Sequence, residues 1–232
     1  MIKRSIKIGN KTRLITICPK ELKSQYYEMH LKLSEIFEKN PYSQYVHCRV
    51  GRSVITNARP HIGYDFTVKM DLRNFFYNVT YENHGKYLPS YIRVYVFDET
   101  KRLPQGLPTS PSAANLAFAS CDKAIAKFCK KRGVVYTRYC DDLSFSFNYY
   151  SLTKEIKREI PKIVRKGHFE VNNRKTKVLY AKSGRRVICG VGVGKEKLHA
   201  TRKSKRNLRT YQKNGQKLAA QGMQAWINHC ED

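Results

Sequence analysis

Two adjacent aspartates interrupt an alternating apolar stretch, VVYTRYCDDLSFSF, at residues 134–147. The alternation on either side of Cys140 predicts two antiparallel strands, and the short polar centre places Asp141 and Asp142 in the bend between them. Neighbouring carboxylates between apolar strands repel each other unless a cation compensates them. The stretch therefore indicates a candidate ion-binding site, and the alternative is that both aspartates are ordinary turn residues.

A third carboxylate stands on a predicted strand seventy residues earlier. In YDFTVKMDL (64–72) the apolar residues recur at every second position, so Asp71 falls on the polar face together with Thr67 and Lys69. Two Mg²⁺ ions about 3.5–4 Å apart would hold three such carboxylates, and this pair of ions serves in-line phosphoryl transfer. The alternative is that Asp71 pairs with Lys69 or an arginine.

The remaining pattern predicts a mixed helix and strand chain. SIKIGNKTRLITI (5–17) indicates a basic hairpin that turns at Gly9-Asn10. Ser110 is the expected N-cap of a long helix, with Pro111 at its first position and Gly133 after its end. The predicted helices cover 21–39, 110–131 and 152–166, and short strands are expected at 168–171, 177–180 and 186–193, before a basic helical segment.

Charge points to a polyanionic partner. The 232 residues include 45 basic and 18 acidic ones, a formal charge of +27 spread along the chain. Nucleic acid is the favoured partner and an anionic membrane the second candidate. With 41% hydrophobic and 12% aromatic residues the chain should fold, and no apolar run approaches a membrane span. The expectation is a cytoplasmic protein without a membrane partner, whose seven cysteines are reduced thiols rather than zinc ligands.

Several ordered motifs resemble those of reverse transcriptases. VKMDLRNFF (68–76) looks like their first catalytic motif, LPQGLPTSP (103–111) like their template- and nucleotide-positioning motif, and YCDD (139–142) like their catalytic hairpin. GRSVITNARPH (51–61) is similar to a signature of the bacterial retron branch, and RLITICPKELK (13–23) resembles its fingers motif. The chain is identified by this resemblance as a compact retron-type reverse transcriptase.

The resemblance implies an α+β fold, the right-hand polymerase fold. Fingers with a β-hairpin would cover 1–62, and an antiparallel-sheet palm with the catalytic hairpin would cover 63–194, with a fingers–palm connection near 78–103. A short helical thumb would cover 195–232. The Val-Thr-Gly typical of the retron palm appears here as Ile188-Cys189-Gly190.

Catalytic roles carry over to matching positions. The resemblance implies that Asp71 and Asp141 bind two Mg²⁺ ions, or Mn²⁺ in their place, with Asp142 in support and the carbonyl of Leu72 completing one coordination shell. Phe76 matches the aromatic residue under the incoming sugar, which implies deoxynucleotide substrates.

Further positions match parts of the family that touch nucleotide or nucleic acid. Gln105 and Gly106 match the turn against the nascent base pair. Lys7 and Arg13 are expected to face each other across the first hairpin and to close on the triphosphate, although solvated surface cations would give the same pattern. Lys175 is a candidate proton donor to pyrophosphate or an ordinary phosphate contact. The expected nucleic-acid-binding residues are Arg52, Asn57, His61, Arg202, Lys203, Lys205, Arg206, Arg209, Lys213 and Lys217.

The implied function is RNA-directed DNA synthesis on a noncoding RNA that serves as template and primer, in bacterial anti-phage defence. DNA product and dNTPs are the other expected partners, and an effector protein or a second copy of the chain is compatible with the resemblance. The alternatives are a defence polymerase that makes DNA with little or no template and a catalytically inactive RNA-binding scaffold. The presence of all three acidic residues in so basic a chain favours an enzyme.

Overall fold

Three antiparallel sheets organise the computed structural model, which describes residues 2–8, 11–184 and 186–231. The strands are β1 (Ile2–Ile8), β2 (Lys11–Ile17), β3 (Phe66–Asp71), β4 (Val135–Tyr139), β5 (Asp142–Phe147), β6 (Lys177–Tyr180), β7 (Arg186–Ile188), β8 (Val191–Val193) and β9 (Leu198–Ala200). The helices are α1 (Lys23–Glu38), α2 (Val54–Ala58), α3 (Tyr81–His84), α4 (Ser110–Lys130), α5 (Leu152–Lys166), α6 (Arg202–Lys213) and α7 (Lys217–Glu231). Within the described ranges, no helix has the length and apolar character that a membrane span needs.

The central sheet has the strand order β4-β5-β3-β6. Its apolar face carries Val68 and Met70 of β3 beside Phe145 and Leu143 of β5, as the alternation predicted. This face packs against α1, α4 and α5, which complete the larger hydrophobic core. The strands β3 and β5, which carry two of the motifs, are therefore neighbours, and the last residue of β3 lies beside the first residue of β5.

The opposite face of this sheet is polar but buried. His61 bonds Ser146 at 2.8 Å and Thr137 at 2.7 Å, and Arg186 donates to Thr67 at 2.9 Å. His61 and Asn57 are both 0% exposed. The prediction that these two residues bind nucleic acid is therefore corrected. α2 and the turn that follows it bury both residues against the central sheet, so their side chains are not accessible to nucleic acid.

The long helix α4 begins at Ser110, one residue earlier than predicted. Thr109, not Ser110, is the N-cap residue, and its side chain makes no capping bond. The Thr109 hydroxyl donates instead to the Tyr95 carbonyl, and the Ser110 hydroxyl donates to the Pro104 carbonyl, both at 2.6 Å. These bonds tie the loop that contains Gln105 to the start of α4.

The third sheet, β7-β8-β9, changes two expectations. The stretch predicted as one strand over 186–193 is a tight hairpin, because Cys189 and Gly190 adopt positive φ angles of 45° and 84°. The expected palm–thumb boundary between 194 and 195 falls inside this sheet, since β9 pairs with β8. The sheet packs with α2 and α7 in a second, smaller core. The predicted strand 168–171 contributes only a single bridge, between Val171 and Leu72.

The basic ribbon β1–β2 forms as predicted, although its expected turn at Gly9-Asn10 lies outside the described residues. Its register pairs Ile6 with Arg13 and Lys7 with Thr12. Side chains alternate along each strand, so Lys7 and Arg13 project from opposite faces of the ribbon. The prediction that they face each other is corrected for this reason.

Candidate active site

Strand register brings the three carboxylates together. Asp71 ends β3 and is the direct partner of Asp142, which begins β5. Asp141 lies in the two-residue turn between β4 and β5, and its carbonyl accepts a 2.8 Å hydrogen bond from the Leu72 amide. The strand register and this hydrogen bond therefore place Asp71 and Asp142 beside the turn that contains Asp141.

The turn depends on a residue in an unfavourable conformation. Cys140 has a φ of 56°, which lies in a backbone region that residues other than glycine rarely adopt. Arg138 supports it by donating to the Cys140 carbonyl at 3.0 Å. Behind it, the Arg138 guanidinium forms a fully buried ion pair with Asp122 of α4 at 2.7 Å and also donates to Asn115. The helix thus holds the turn of Cys140 and Asp141 through a charged contact.

The sequence pattern did not predict this buried pair. The available signal was an aspartate at 122 within an otherwise apolar helix face and an arginine inside an apolar strand. Buried charges of this kind require a partner, but one sequence does not show which residue provides it.

The carboxyl groups of Asp141 and Asp142 have raised pKa values. Burial raises the pKa of Asp141 and of Asp142 above the ordinary carboxyl value, and the neighbouring carboxylates add to both shifts. The Lys69 ammonium opposes the shift at Asp142. Like charges close together in a half-buried site favour the binding of a cation.

Lys175 supplies positive charge at Asp71. Its ammonium donates to both carboxylate oxygens, at 2.8 and 2.6 Å. No group of three or more His, Cys, Asp or Glu side chains in the described part of the chain converges enough to hold a metal ion. The predicted metal cluster is thus not preassembled around Asp71, Asp141 and Asp142.

The donor chemistry nevertheless fits a hard divalent cation. The three side chains and the Leu72 carbonyl are all oxygen donors, the class that Mg²⁺ prefers. The raised pKa values of Asp141 and Asp142 come first from burial and then from the neighbouring carboxylates, and a bound cation would offset both effects. The Lys175 ammonium would have to leave Asp71 before that carboxylate could join such a site.

Phe75 and Phe76 differ in burial. Phe75 is 3% exposed and contacts Phe118 and Phe169, whereas Phe76 is only partly buried at the edge of the same core. Phe76 also packs against the core through Phe75, with ring centroids 5.5 Å apart, but part of its ring stays accessible. A sugar-contacting role for Phe76 stays a prediction.

Gly106 allows the ribbon to approach its loop closely. Its φ is 107°, and a Cβ placed there would lie 2.3 Å from the Ile15 side chain and 2.5 Å from the Thr16 carbonyl. The Thr16 amide donates to the Gln105 carbonyl at 2.7 Å. The loop of Gln105 therefore supports the fingers ribbon.

A chain of contacts links the retron-like signatures to the site. The Asn57 side-chain amide donates to Cys189, and the Cys189 thiol lies 3.8 Å from a carboxylate oxygen of Asp142. The Ile188-Cys189-Gly190 turn thus reaches the catalytic hairpin from the opposite side to Arg138. No sequence signal predicted this contact.

The basic residues of α6 form a surface stripe. Arg202, Arg206, Arg209 and Lys213 follow three- and four-residue steps and are all exposed, so they share one face of the helix. Lys205 differs, because its ammonium pairs with Glu231 of α7 at 2.7 Å. Lys203 and Lys217 are also exposed.

A family model described as reverse transcriptase (RNA-dependent DNA polymerase) matches residues 3–213. The chain belongs to the reverse transcriptase family. Retron Mx65 reverse transcriptase of Myxococcus xanthus is 30% identical over 189 residues, which cover 69% of this chain and 44% of the relative. Retron Ec86 reverse transcriptase of Escherichia coli is 31% identical over 160 residues, which cover 63% of this chain and 50% of the relative. These relatives confirm the retron-type resemblance.

A solved structure confirms the right-hand polymerase fold of this chain. A C-terminally truncated apo telomerase from Candida tropicalis superposes with a TM-score of 0.61 at 12% identity, over 86% of this chain and 54% of the telomerase. At that identity the likeness concerns the fold alone. The chain spans about half the length of the retron relatives described above.

Proposed function

We propose that this chain is a retron-like RNA-directed DNA polymerase that extends DNA with dNTPs on a noncoding RNA template and primer. The observation that carries the proposal is the register of the palm sheet. It sets Asp71 directly opposite Asp142, with Asp141 in the adjoining turn, in a member of the reverse transcriptase family.

In this proposal Asp71 and Asp141 hold two Mg²⁺ ions, which Mn²⁺ can replace, with the Leu72 carbonyl as a further ligand and Asp142 in support. Bound there, the ions would activate the attacking 3′-oxygen and stabilise the leaving pyrophosphate. Lys175 holds Asp71 when no ion does. Once released, its ammonium is available to a phosphate or to the departing pyrophosphate as a proton donor.

The nucleotide would lie between the fingers ribbon and the palm. Phe76 would exclude a 2′-hydroxyl, and the Gln105-Gly106 loop would support the nascent base pair. Lys7 and Arg13 cannot both face the same triphosphate from one ribbon face. Arg13 is the better candidate, because it shares its face with Ile15, which lies against Gly106.

The nucleic-acid duplex would lie along the cations of α6, while Arg52 would contact nucleic acid from the fingers side. In this proposal the fingers cover 1–62, the palm covers 63–194 and the thumb covers 195–232. The purely helical part of the thumb begins at Arg202. The role in anti-phage defence, an effector or self-association partner and cytoplasmic location stay predictions.

Primer extension tests the proposed function. The full chain with a primed RNA template, dNTPs and Mg²⁺ should extend the primer. Asp141→Asn with Asp142→Asn should abolish extension, because neutral amides hold divalent ions poorly. RNA affinity of the double variant, measured in parallel, should stay close to that of wild type. Equal extension by both proteins would refute the proposal, and binding without extension by wild type would favour the inactive scaffold.

A further inference from the structure

A cavity of about 1100 Å³ opens beside the first half of β4, outside the catalytic turn. Residues of the 44–60 segment, the C-terminal end of α4 and the start of β4 line it. Thr137 is the last residue of β4 on its wall, and Asp71, Asp141 and Asp142 are not among the residues that line it. The cavity is therefore separate from the carboxylate site.

Positive charge surrounds this cavity. Arg52, Arg59 and Lys130 lie at its edge and are exposed, and none of the residues described as lining it is acidic. None of these three cations forms an ion pair within the described residues, whereas neighbouring Arg49 and Arg132 pair with Glu38 and Glu155. Three uncompensated cations around one concave surface favour a ligand with several phosphates.

An aromatic wall lies among these cations. Tyr45 is half-buried and stacks on Tyr136, with ring centroids 6.0 Å apart and planes inclined by 27°. Tyr136 is held from behind by a hydrogen bond to Asp122. Nearby His47 bonds Thr56, and burial together with Arg52 and Arg49 lowers its pKa to about 4, so it offers neutral polar contacts at pH 7. A supported ring beside cations suits an unpaired base.

Size and shape select among phosphate ligands. The cavity exceeds the roughly 300–1,000 Å³ typical of small-molecule sites. The bases of a duplex are stacked inside it and cannot reach a recessed aromatic wall, whereas single-stranded RNA can turn its bases outward. A run of single-stranded RNA therefore fits these features better than a free nucleotide or a duplex.

We propose that this cavity is a groove that holds a single-stranded RNA segment outside the catalytic cleft, with phosphates at Arg52, Arg59 and Lys130 and a base against Tyr45. The proposal rests on the proposed function for its choice of RNA. A noncoding RNA that serves as template would be anchored there while another part of it occupies the cleft. The groove would thus select RNAs that have an unpaired segment at the right distance from the primed end.

Photo-crosslinking tests the groove directly. The full chain is mixed with a twelve-nucleotide unstructured RNA containing 4-thiouridine while a blunt RNA–DNA hybrid, in excess and without dNTPs, occupies the cleft. Crosslinked peptides from the 44–60 segment or β4 are expected in wild type. Arg52→Gln, Arg59→Gln and Lys130→Gln together should reduce this crosslink at least about ten-fold and lower the salt dependence of RNA binding by about two units. The matched control, Lys127→Gln with Lys154→Gln and Lys157→Gln, removes equal charge from exposed positions outside the groove and should leave the crosslink unchanged.

A second variant separates stacking from charge. Tyr45→Leu keeps the side chain apolar and should weaken binding of the same RNA about five-fold or more, since base stacking is lost. Three results would overturn the proposed groove. The first is a crosslink to other segments, and the second is an equal loss of the crosslink in the control triple variant. The third is complete displacement of the RNA by millimolar ATP, which would indicate a mononucleotide site. Primer extension is scored separately: an active polymerase without the crosslink refutes only the groove, and an inactive protein that crosslinks refutes only the proposed function.

Discussion

At the scale of single residues, Phe76 offers the sharpest test of substrate selection. If its ring lies under the incoming sugar, Phe76→Ala should raise ribonucleotide incorporation relative to deoxyribonucleotide, because space opens for a 2′-hydroxyl. The ratio of incorporated rNTP to dNTP on one primed RNA template measures this. Phe75→Leu is the control: Phe75 packs in the core, so this change should lower the free energy of unfolding without altering the ratio. An unchanged ratio in an active Phe76→Ala enzyme would show that Phe76 does not exclude the 2′-hydroxyl.

At the scale of elements, the buried Arg138–Asp122 pair connects α4 to the catalytic hairpin. Asp122→Asn should lower the free energy of unfolding by about 3–5 kcal/mol, since it leaves a buried guanidinium without its counter-charge. Asp122→Leu combined with Arg138→Met should cost less than the single change, because no isolated charge remains. Urea denaturation measures both.

The exposed Lys32–Glu28 pair is the control for that experiment. Glu28→Gln should change stability by about 0.5 kcal/mol or less, as surface pairs contribute little. If Asp122→Asn were as mild as Glu28→Gln, the buried pair would not stabilise the connection between helix and hairpin.

The second element-level prediction concerns α6. Its aligned cations repel each other on the helix surface, a cost that nearby phosphates would offset. Arg202→Gln, Arg206→Gln and Arg209→Gln together should weaken binding of unrelated duplexes by similar factors and lower the salt dependence by up to about three units. Product length per binding event should fall more than the rate of single-nucleotide addition, because the carboxylates are untouched.

Affinity at several salt concentrations checks the α6 prediction. Lys154→Gln, Lys157→Gln and Lys166→Gln remove the same charge from exposed positions on α5 and should retain wild-type salt dependence. Parallel log–log plots with one intercept for wild type and the α6 triple variant would mean that this face touches no nucleic acid.

At the scale of the whole molecule, buried histidines predict acid instability. Burial, with a contribution from Arg186, lowers the pKa of His61 to about 3, and burial with nearby arginines lowers that of His47 to about 4. Unfolded histidine takes up a proton near pH 6.5, so the unfolded chain binds more protons below that pH. Stability should therefore be complete above pH 6.5 and fall towards pH 4, by about 1.4 kcal/mol per pH unit for each histidine.

Denaturation midpoints between pH 7.5 and 4.5 measure this slope. His61→Gln should be less stable than wild type at pH 7.5 but lose less stability on acidification. His229→Gln, at an exposed position on α7, is the control and should retain the wild-type slope. Identical slopes for all three proteins would show that His61 is not responsible.

Sequence alone determined the features that depend on local periodicity and on family motifs. The strand alternation around Asp71 and the Asp141-Asp142 bend was predictable, because side chains alternate with a period of two whatever the strand pairs with. The ribbon, the long helix after Ser110 and the excess of positive charge were equally readable. Together with ordered motifs they predicted the reverse transcriptase fold and its three acidic site residues.

Strand pairing and packing settled the contacts that periodicity and motifs leave open. Pairing register put Lys7 and Arg13 on opposite ribbon faces, and burial removed Asn57 and His61 from the surface. The Arg138–Asp122 pair joins the consecutive elements α4 and β4, and the cationic groove around Tyr45 joins the 44–60 segment to the end of α4 and the start of β4. Periodicity fixes which side of an element a residue occupies, but what faces that side depends on how elements pack, because register and burial are properties of two segments together.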